Sequence, residues 1–124
     1  MSDSGEKLAL ACAHAADETK ADDIRIFDVR GISTITDFMI VCSGASMPHL
    51  KAISRDIEKK VAEVTGEYAF RTEGKASTRR VVLDFVDVMV HVLHTEMREL
   101  YALEDLWGDA KQLIWRPEPE DDED

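Results

Sequence analysis

Cysteine is scarce in this sequence, and the two residues present, Cys12 and Cys42, lie far apart and outside any C-x-x-C pair. Zinc ribbons and dithiol redox motifs need closely spaced cysteines, so neither kind of site is predicted. In a protein of this composition, two isolated cysteines are typical of reduced packing residues. We therefore expect both thiols to be buried and inert, and no metal or cofactor to be bound.

Long apolar runs are also missing, since no segment approaches the roughly 18 apolar residues of a membrane span. The first ten residues, MSDSGEKLAL, lack the basic start and the apolar stretch of a signal peptide. We expect a cytoplasmic protein that makes no contact with a membrane.

Basic charge is in short supply, with 15 Lys and Arg against 26 Asp and Glu, a net charge of −11. A surface that neutralises phosphates needs an excess of cations, so little or no direct nucleic-acid contact is expected, and a basic partner is favoured. Six of the carboxylates fall in residues 117–124, which leaves −5 for the rest. The 124 residues predict one folded domain, 1–115, followed by an acidic, disordered tail, 116–124.

The hydrophobic pattern predicts three helices and about five strands. The clearest helix runs from Ser46, its expected N-cap, to Gly66, with Pro48 in the first turn. Two apolar runs, 80–85 and 88–93, are separated by two residues and indicate an antiparallel hairpin. The other predicted elements are helices at 6–20 and from 96 to about 107, and strands at 24–29, 37–42 and 68–72. This order predicts an α/β (α+β) fold, a single-domain mixed β-sheet with helices packed on it.

Two features could belong to an enzyme. The turn Ser43–Ser46 lies before a helix N-terminus and could hold a phosphate, yet no nucleotide-binding glycine motif is present. The plainer interpretation is that Gly44 makes the turn and Ser46 caps the helix. Asp84 and Asp87 are three residues apart across a turn, whereas a metal-binding pair on one strand face needs a spacing of two. A nucleotidyltransferase-like enzyme using Ser43–Ser46 and Asp84/Asp87 therefore remains the alternative, and turn chemistry is favoured for the aspartates.

Histidine and aromatic residues near the C-terminus are further candidates for a functional role. His91 alternates with valines along its strand and is expected to be structural, with a contact or a catalytic role as the alternatives. Residues 98–107 combine Arg98, Tyr101 and Trp107, a composition found both in cores and in contact hot spots. We expect Arg98 and Tyr101 to be more exposed than Trp107. Self-association through this helix, giving a homodimer, is a further hypothesis.

Six segments, taken in order, resemble a known family. They are DIRIFDV (23–29), TDFMIVCSGAS (36–46), HL (49–50), EG (73–74), VVLDF-x-D-x-x-VHV (81–92) and R-x-x-Y-x-LE-x-LW (98–107). Together they are similar to the Iojap-like ribosomal silencing factors (RsfS). The resemblance implies a nucleotidyltransferase-like topology without catalysis. It also implies binding of the large ribosomal subunit at the basic ribosomal protein numbered fourteen, which blocks association with the small subunit and represses translation under nutrient limitation.

The resemblance places the contact surface on the hairpin strands and the helix after them. The residues expected to bind the partner are Arg80, Val82, Asp84, Met89, His91, Met97, Arg98 and Tyr101. This sequence departs from the family at two positions, with Arg80 where Trp is usual and Val86 where Gly is usual. Arginine can stack or pair with a carboxylate but does not fill an apolar pocket as Trp does. Valine disfavours positive φ, so the hairpin turn is expected to have ordinary backbone angles.

Overall fold

A computed structural model describes residues 3–75, 78–101 and 110–115, without the side chains of residues 3–4 and 99–101. The elements in chain order are α1 (Asp3–Glu18), β1 (Asp22–Asp28), β2 (Phe38–Gly44), α2 (Met47–Thr65), β3 (Arg71–Lys75), β4 (Arg80–Asp84), β5 (Val88–His94), α3 (Thr95–Tyr101) and β6 (Lys111–Leu113). None of these helices combines the length and apolar character that a membrane span requires within the part of the chain described.

The strands form one mixed sheet in the order β3-β4-β5-β2-β1-β6. The central pair, β2 and β5, is parallel, with Phe38 opposite Val88 and Gly44 opposite His94. All the other neighbouring strands pair antiparallel, including the predicted β4–β5 hairpin. The mixed α/β fold is thereby confirmed, with six strands where about five were expected.

Helices α1 and α2 cover one face of the sheet and form the main core with it. Successive strand side chains alternate between faces, so every second residue of β2, β4 and β5 points to these helices. The sequence predicts an apolar stripe on α2 of five residues, and four of them, Leu50, Ile53, Ile57 and Val61, are buried against the sheet. The fifth, Val64, is 63% exposed near the end of the helix, contrary to the prediction. The opposite face carries a smaller buried cluster, onto which α3 packs through Met97. Its members are Phe27, Val29, Met39, Val41 and Leu93.

The ends of α2 are formed as the sequence predicts. The Ser46 hydroxyl accepts a hydrogen bond from the His49 N–H at 3.2 Å, and Gly66, at φ +80°, donates its N–H to the Ala62 carbonyl. Gly44 plays another part than the predicted turn, since it is the last residue of β2. A Cβ there would approach His49 Nδ1 to 3.0 Å. The absence of a side chain at Gly44 therefore leaves room for the His49 and Ile53 side chains of α2.

Two edge strands differ from the prediction. β3 occupies 71–75 rather than 68–72, because its register with β4 sets Arg71 opposite Asp84 and Lys75 opposite Arg80. Tertiary pairing here outweighs the low strand propensity of the polar sequence. The three-residue strand β6 was not predicted. It pairs with β1, and Trp115 just beyond it donates its indole N–H to the Ile24 carbonyl at 3.1 Å.

The turn between β4 and β5 has a backbone conformation contrary to the prediction. Val86 adopts φ +76°, in the left-handed region, so the expectation of ordinary backbone angles was wrong. The Asp84 carboxylate accepts the Val86 N–H at 2.8 Å, and the Asp87 N–H bonds to the Phe85 carbonyl. The tight connection between the two strands thus imposes a positive φ on a β-branched residue.

Replacing Val86 with Gly should raise the stability of the protein. Relief of the left-handed strain exceeds the added chain entropy of Gly, for a net gain of about 1 kcal/mol in the free energy of unfolding. Thermal unfolding followed by circular dichroism should show a midpoint about 4 °C higher. Val86→Ala is the control, because Ala keeps the Cβ responsible for the strain and should gain less. A midpoint that is unchanged or lower for Val86→Gly would contradict this account.

Candidate partner-binding surface

Five of the eight predicted contact residues lie together on one face of the β4–β5 hairpin. The register sets Val82 opposite His91 and Asp84 opposite Met89. Arg80 lies two residues before Val82 on β4, opposite Leu93. The spacing of two along each strand brings all five side chains to the sheet face that α1 and α2 leave uncovered. We call this set the hairpin face: Arg80, Val82, Asp84, Met89 and His91.

The hairpin face mixes apolar and polar groups. Val82 is buried, so in this conformation it supports the surface rather than forming its outermost layer. The other four side chains are partly exposed. Beside them, Met97 of α3 packs partly buried on the adjoining apolar cluster. A partly apolar surface with charged groups at its margin is suited to contact with another protein.

Arg98 occupies a different position from the one expected. Its side chain is only 8% exposed, so in this conformation it is not part of an outer contact surface. The expected difference in exposure from Trp107 stays a prediction, because Trp107 lies outside the described residues. The guanidinium Nη2 lies 3.3 Å from the Asp23 carboxylate, and Nη1 donates to the Asp22 carbonyl at 3.4 Å. It also lies 3.5 Å from the Ser43 hydroxyl. Arg98 therefore ties α3 to the ends of β1 and β2.

Tyr101 and Trp107 are the two aromatic residues of the predicted contact helix. Tyr101 is the last residue of α3, and its side chain lies outside the described residues. Trp107 lies wholly outside them, so its predicted burial and the proposed self-association through this helix stay predictions.

On the hairpin face, His91 is buried deeply enough for its pKa to be lowered. Its Nε2 is shielded from solvent and has no hydrogen-bond partner among the residues that the structure describes. Burial, with a smaller effect from the charge of Arg80, lowers the pKa of His91 from 6.5 to about 4. The imidazole is therefore neutral at physiological pH.

The depressed pKa of His91 makes stability fall in acid. Unfolding returns the imidazole to a pKa near 6.5. Between about pH 6.5 and 4, His91 is therefore protonated in the unfolded chain but not in the folded one, and the folded state loses stability as the pH falls. The loss of unfolding free energy should reach at most about 3 kcal/mol at the acid end. Urea unfolding at a series of pH values should show the decline, and His91→Leu should remove this part of it. An identical decline in that variant would contradict the assignment.

The residues of the enzymatic alternative are engaged in structural contacts. Asp84 binds the turn at Val86, as turn chemistry predicted, and the Asp87 carbonyl accepts the N–H groups of Asp37 and Phe38. The Ser43 hydroxyl donates to the Asp22 carbonyl at 3.3 Å. Within the described ranges, no three His, Cys, Asp or Glu side chains are placed to hold a metal ion.

Both cysteines are free and buried, as predicted. Burial raises the pKa of the Cys42 thiol to about 12 and that of Cys12 still higher. A thiol with so high a pKa is unreactive at neutral pH, because the thiolate is the nucleophile.

β3 also contributes to this side of the sheet, which was not predicted from the sequence. Arg71, Glu73 and Lys75 stand opposite Asp84, Val82 and Arg80, so they extend the hairpin face by one strand. The alternation of charged residues in RTEGK was the available signal, but the predicted strand lies three residues too early.

These features define a class: mixed-sheet α/β proteins in which one face of a β-hairpin, bordered by a helix, is left uncovered by the main helix layer. The chain matches the family described as "Ribosomal silencing factor during starvation" over residues 2–124. The protein belongs to this ribosomal silencing factor family, RsfS, a family of translation regulators.

Relatives and solved structures support the assignment over most of the chain. The ribosomal silencing factor RsfS of Bacillus subtilis is 42% identical over 103 residues, covering 83% of this chain and 86% of that protein. The RsfS of Halalkalibacterium halodurans is 40% identical over 107 residues, covering 86% and 91%. A crystal structure of a Chromobacterium violaceum protein superposes with a TM-score of 0.78 at 29% identity, covering 83% of this chain and 85% of that one.

Proposed function

We propose that this protein binds the large ribosomal subunit at the basic ribosomal protein numbered fourteen and thereby blocks association with the small subunit. It acts in the cytoplasm as a repressor of translation under nutrient limitation, and it acts by binding rather than by catalysis. The observation that carries the proposal is the family match over residues 2–124, together with the grouping of five predicted contact residues on one hairpin face. A mouse relative, 30% identical over 92 residues, is named "Mitochondrial assembly of ribosomal large subunit protein 1".

The charge of the chain favours a protein contact over an RNA contact. At −11, the chain repels phosphate at long range and attracts a basic ribosomal protein. On the hairpin face Asp84 supplies a carboxylate and Met89 supplies adaptable apolar area, to which Met97 of the neighbouring helix α3 adds. Arg80 stands where the family's usual Trp would fill an apolar pocket, so here this position contributes a charge-directed contact instead.

Inhibition by steric exclusion needs no chemistry from the protein. A factor that occupies part of the joining face of the large subunit prevents the small subunit from docking there. The proposal therefore requires stable binding and no turnover, in keeping with the turn contact of the Asp84 carboxylate and the hydrogen bond from the Ser43 hydroxyl to the Asp22 carbonyl.

Sedimentation with separated ribosomal subunits tests the proposal. The purified protein should co-sediment with the large subunit and should reduce the formation of joined ribosomes when small subunits are added. A chain ending at residue 115 serves as a comparison, which shows whether the acidic residues 117–124 alter the salt dependence of binding. Sedimentation with neither subunit, or binding without any effect on joining, would refute the proposal.

A further inference from the structure

Three large apolar side chains are exposed at the end of the sheet where the β1–β2 loop meets the β4–β5 turn. Ile32 is 48% exposed, Ile35 68% and Val86 55%. The Asp87 carbonyl accepts the Asp37 N–H at 3.1 Å, so the loop and the turn are bonded to each other. We call this set the apolar tip: Ile32, Ile35 and Val86.

The apolar tip adjoins the turn end of the hairpin face. Val86 lies in the turn between Asp84 and Met89, which are the two members of the hairpin face at that end. Met39 of β2, four residues after Ile35, pairs with Met89 across the parallel strands. Exposed apolar residues grouped beside another contact surface are typical of an interaction site. One partner could therefore contact the hairpin face and the apolar tip together.

Val86 is an unfavourable residue for the fold alone. Its φ of +76° strains a β-branched residue, and because its side chain is exposed, little apolar area is buried in return. Strained backbone positions of this kind cluster at functional sites, where another requirement outweighs the cost in stability. Burial of the Val86 side chain against a partner accounts for a residue that the fold alone disfavours.

Acidic charge surrounds the apolar tip. Asp37 and Asp87 are exposed beside it, and Asp84 is partly exposed at the turn. Arg30 is the one cation in the sequence of the β1–β2 loop, and its guanidinium lies 2.6 Å from the Asp28 carboxylate. An apolar area with carboxylates at its margin fits a protein surface whose apolar residues are bordered by lysine or arginine, whereas it repels the phosphates of RNA.

We propose that the apolar tip extends the partner-binding surface beyond the hairpin face, and that a basic protein of the large ribosomal subunit docks on both. Ile32, Ile35 and Val86 become buried among apolar side chains of this partner, while Asp37 and Asp87 face its cations. The inference rests on the proposed function, because the partner is the one that the hairpin face binds.

Replacing Ile35 with Ser tests the proposal in co-sedimentation with the large ribosomal subunit. The dissociation constant should rise by about tenfold, because most of the apolar area that Ile35 buries in the complex is lost. Ile114→Ser is the matched control, since Ile114 is 79% exposed directly after β6, the strand at the far edge of the sheet. This variant should bind as the wild type does. Circular dichroism should show both variants folded.

Val86→Gly separates a role in binding from a structural role. The substitution relieves the left-handed strain and should raise the midpoint of thermal unfolding. It should nevertheless weaken binding to the subunit by about fivefold, because the apolar side chain is removed from the interface. A purely structural role would give higher stability without any loss of binding.

The outcomes distinguish this inference from the proposed function. If Met89→Lys loses binding in the same experiment while Ile35→Ser and Val86→Gly bind fully, the apolar tip is overturned and the proposed function stands. An equal loss for Ile114→Ser would also overturn the apolar tip, since the effect would not depend on position. A wild-type protein that binds neither subunit would overturn this inference together with the proposed function.

Discussion

Substituting lysine for Met89 should abolish binding to the large ribosomal subunit while leaving the protein folded. Met89 is a partly exposed apolar residue at the turn end of the hairpin face, opposite Asp84. A cation at this position would be buried against a basic partner, which should weaken binding by at least about a hundredfold. Asp84 across the strand pair can compensate the new charge in the free protein, so the change in stability should be under about 1 kcal/mol. Co-sedimentation and thermal unfolding of the same preparation measure the two effects.

Met47→Lys is the matched control for this experiment. Met47 is the first residue of α2 and is 44% exposed, on the layer that covers the opposite face of the sheet. The same change in side chain and charge there should leave binding to the subunit as in the wild type. Equal loss for both variants would point to a general charge effect, and full binding by Met89→Lys would place the interface away from the hairpin face.

Replacing Arg98 with Met should destabilise the protein by about 2 kcal/mol, because the hydrogen bonds and the ion pair of a largely buried guanidinium are lost. The Asp22 carbonyl and the Ser43 hydroxyl would lose a donor, while Met preserves most of the apolar length of the side chain. Arg98 holds α3 to the start of β1 and the end of β2, so without it α3 should detach more readily and subunit binding should weaken as well. Urea unfolding gives the stability change, and co-sedimentation gives the binding change.

Arg25→Met is the control, since Arg25 binds the same carboxylate. Its Nε lies 2.9 Å from Asp23 Oδ1, but its side chain is 41% exposed. An exposed ion pair contributes little, and this variant should lose no more than about 0.5 kcal/mol. Similar losses for the two variants would show that the ion pair with Asp23, and not the burial of Arg98, determines the stability of this corner.

The elements with strong local signals could be predicted from the sequence. The α2 helix has an apolar stripe, a Ser46 cap and a terminal Gly66, and each of these lies where the pattern predicts. The β4–β5 hairpin was equally clear. The grouping of Arg80, Asp84, Met89 and His91 was implied by the family resemblance, and the strand register does bring these four side chains to one face. In these elements the local sequence pattern and the tertiary structure agree, as expected for a sequence whose local preferences rarely conflict with its fold.

The features that were missed depend on contacts distant in sequence. Arg98 is buried because the fold brings Asp22 and Ser43 against α3, and no local pattern around residue 98 predicts that contact. The position of β3 follows from its register with β4 rather than from its own composition. Val86 adopts a left-handed conformation in the short connection between β4 and β5, where its N–H bonds to the Asp84 carboxylate.

The parallel pairing of β2 with β5 determines when this chain can fold during synthesis. All seven residues of β2 are buried, yet its second neighbour, Val88–His94, begins only 44 residues after β2 ends (88 − 44). Until then, β2 can pair with β1 alone and presents an apolar edge to its surroundings. A chain interrupted before β5 should therefore aggregate rather than persist as a partial domain, and the protein should fold late and as a unit.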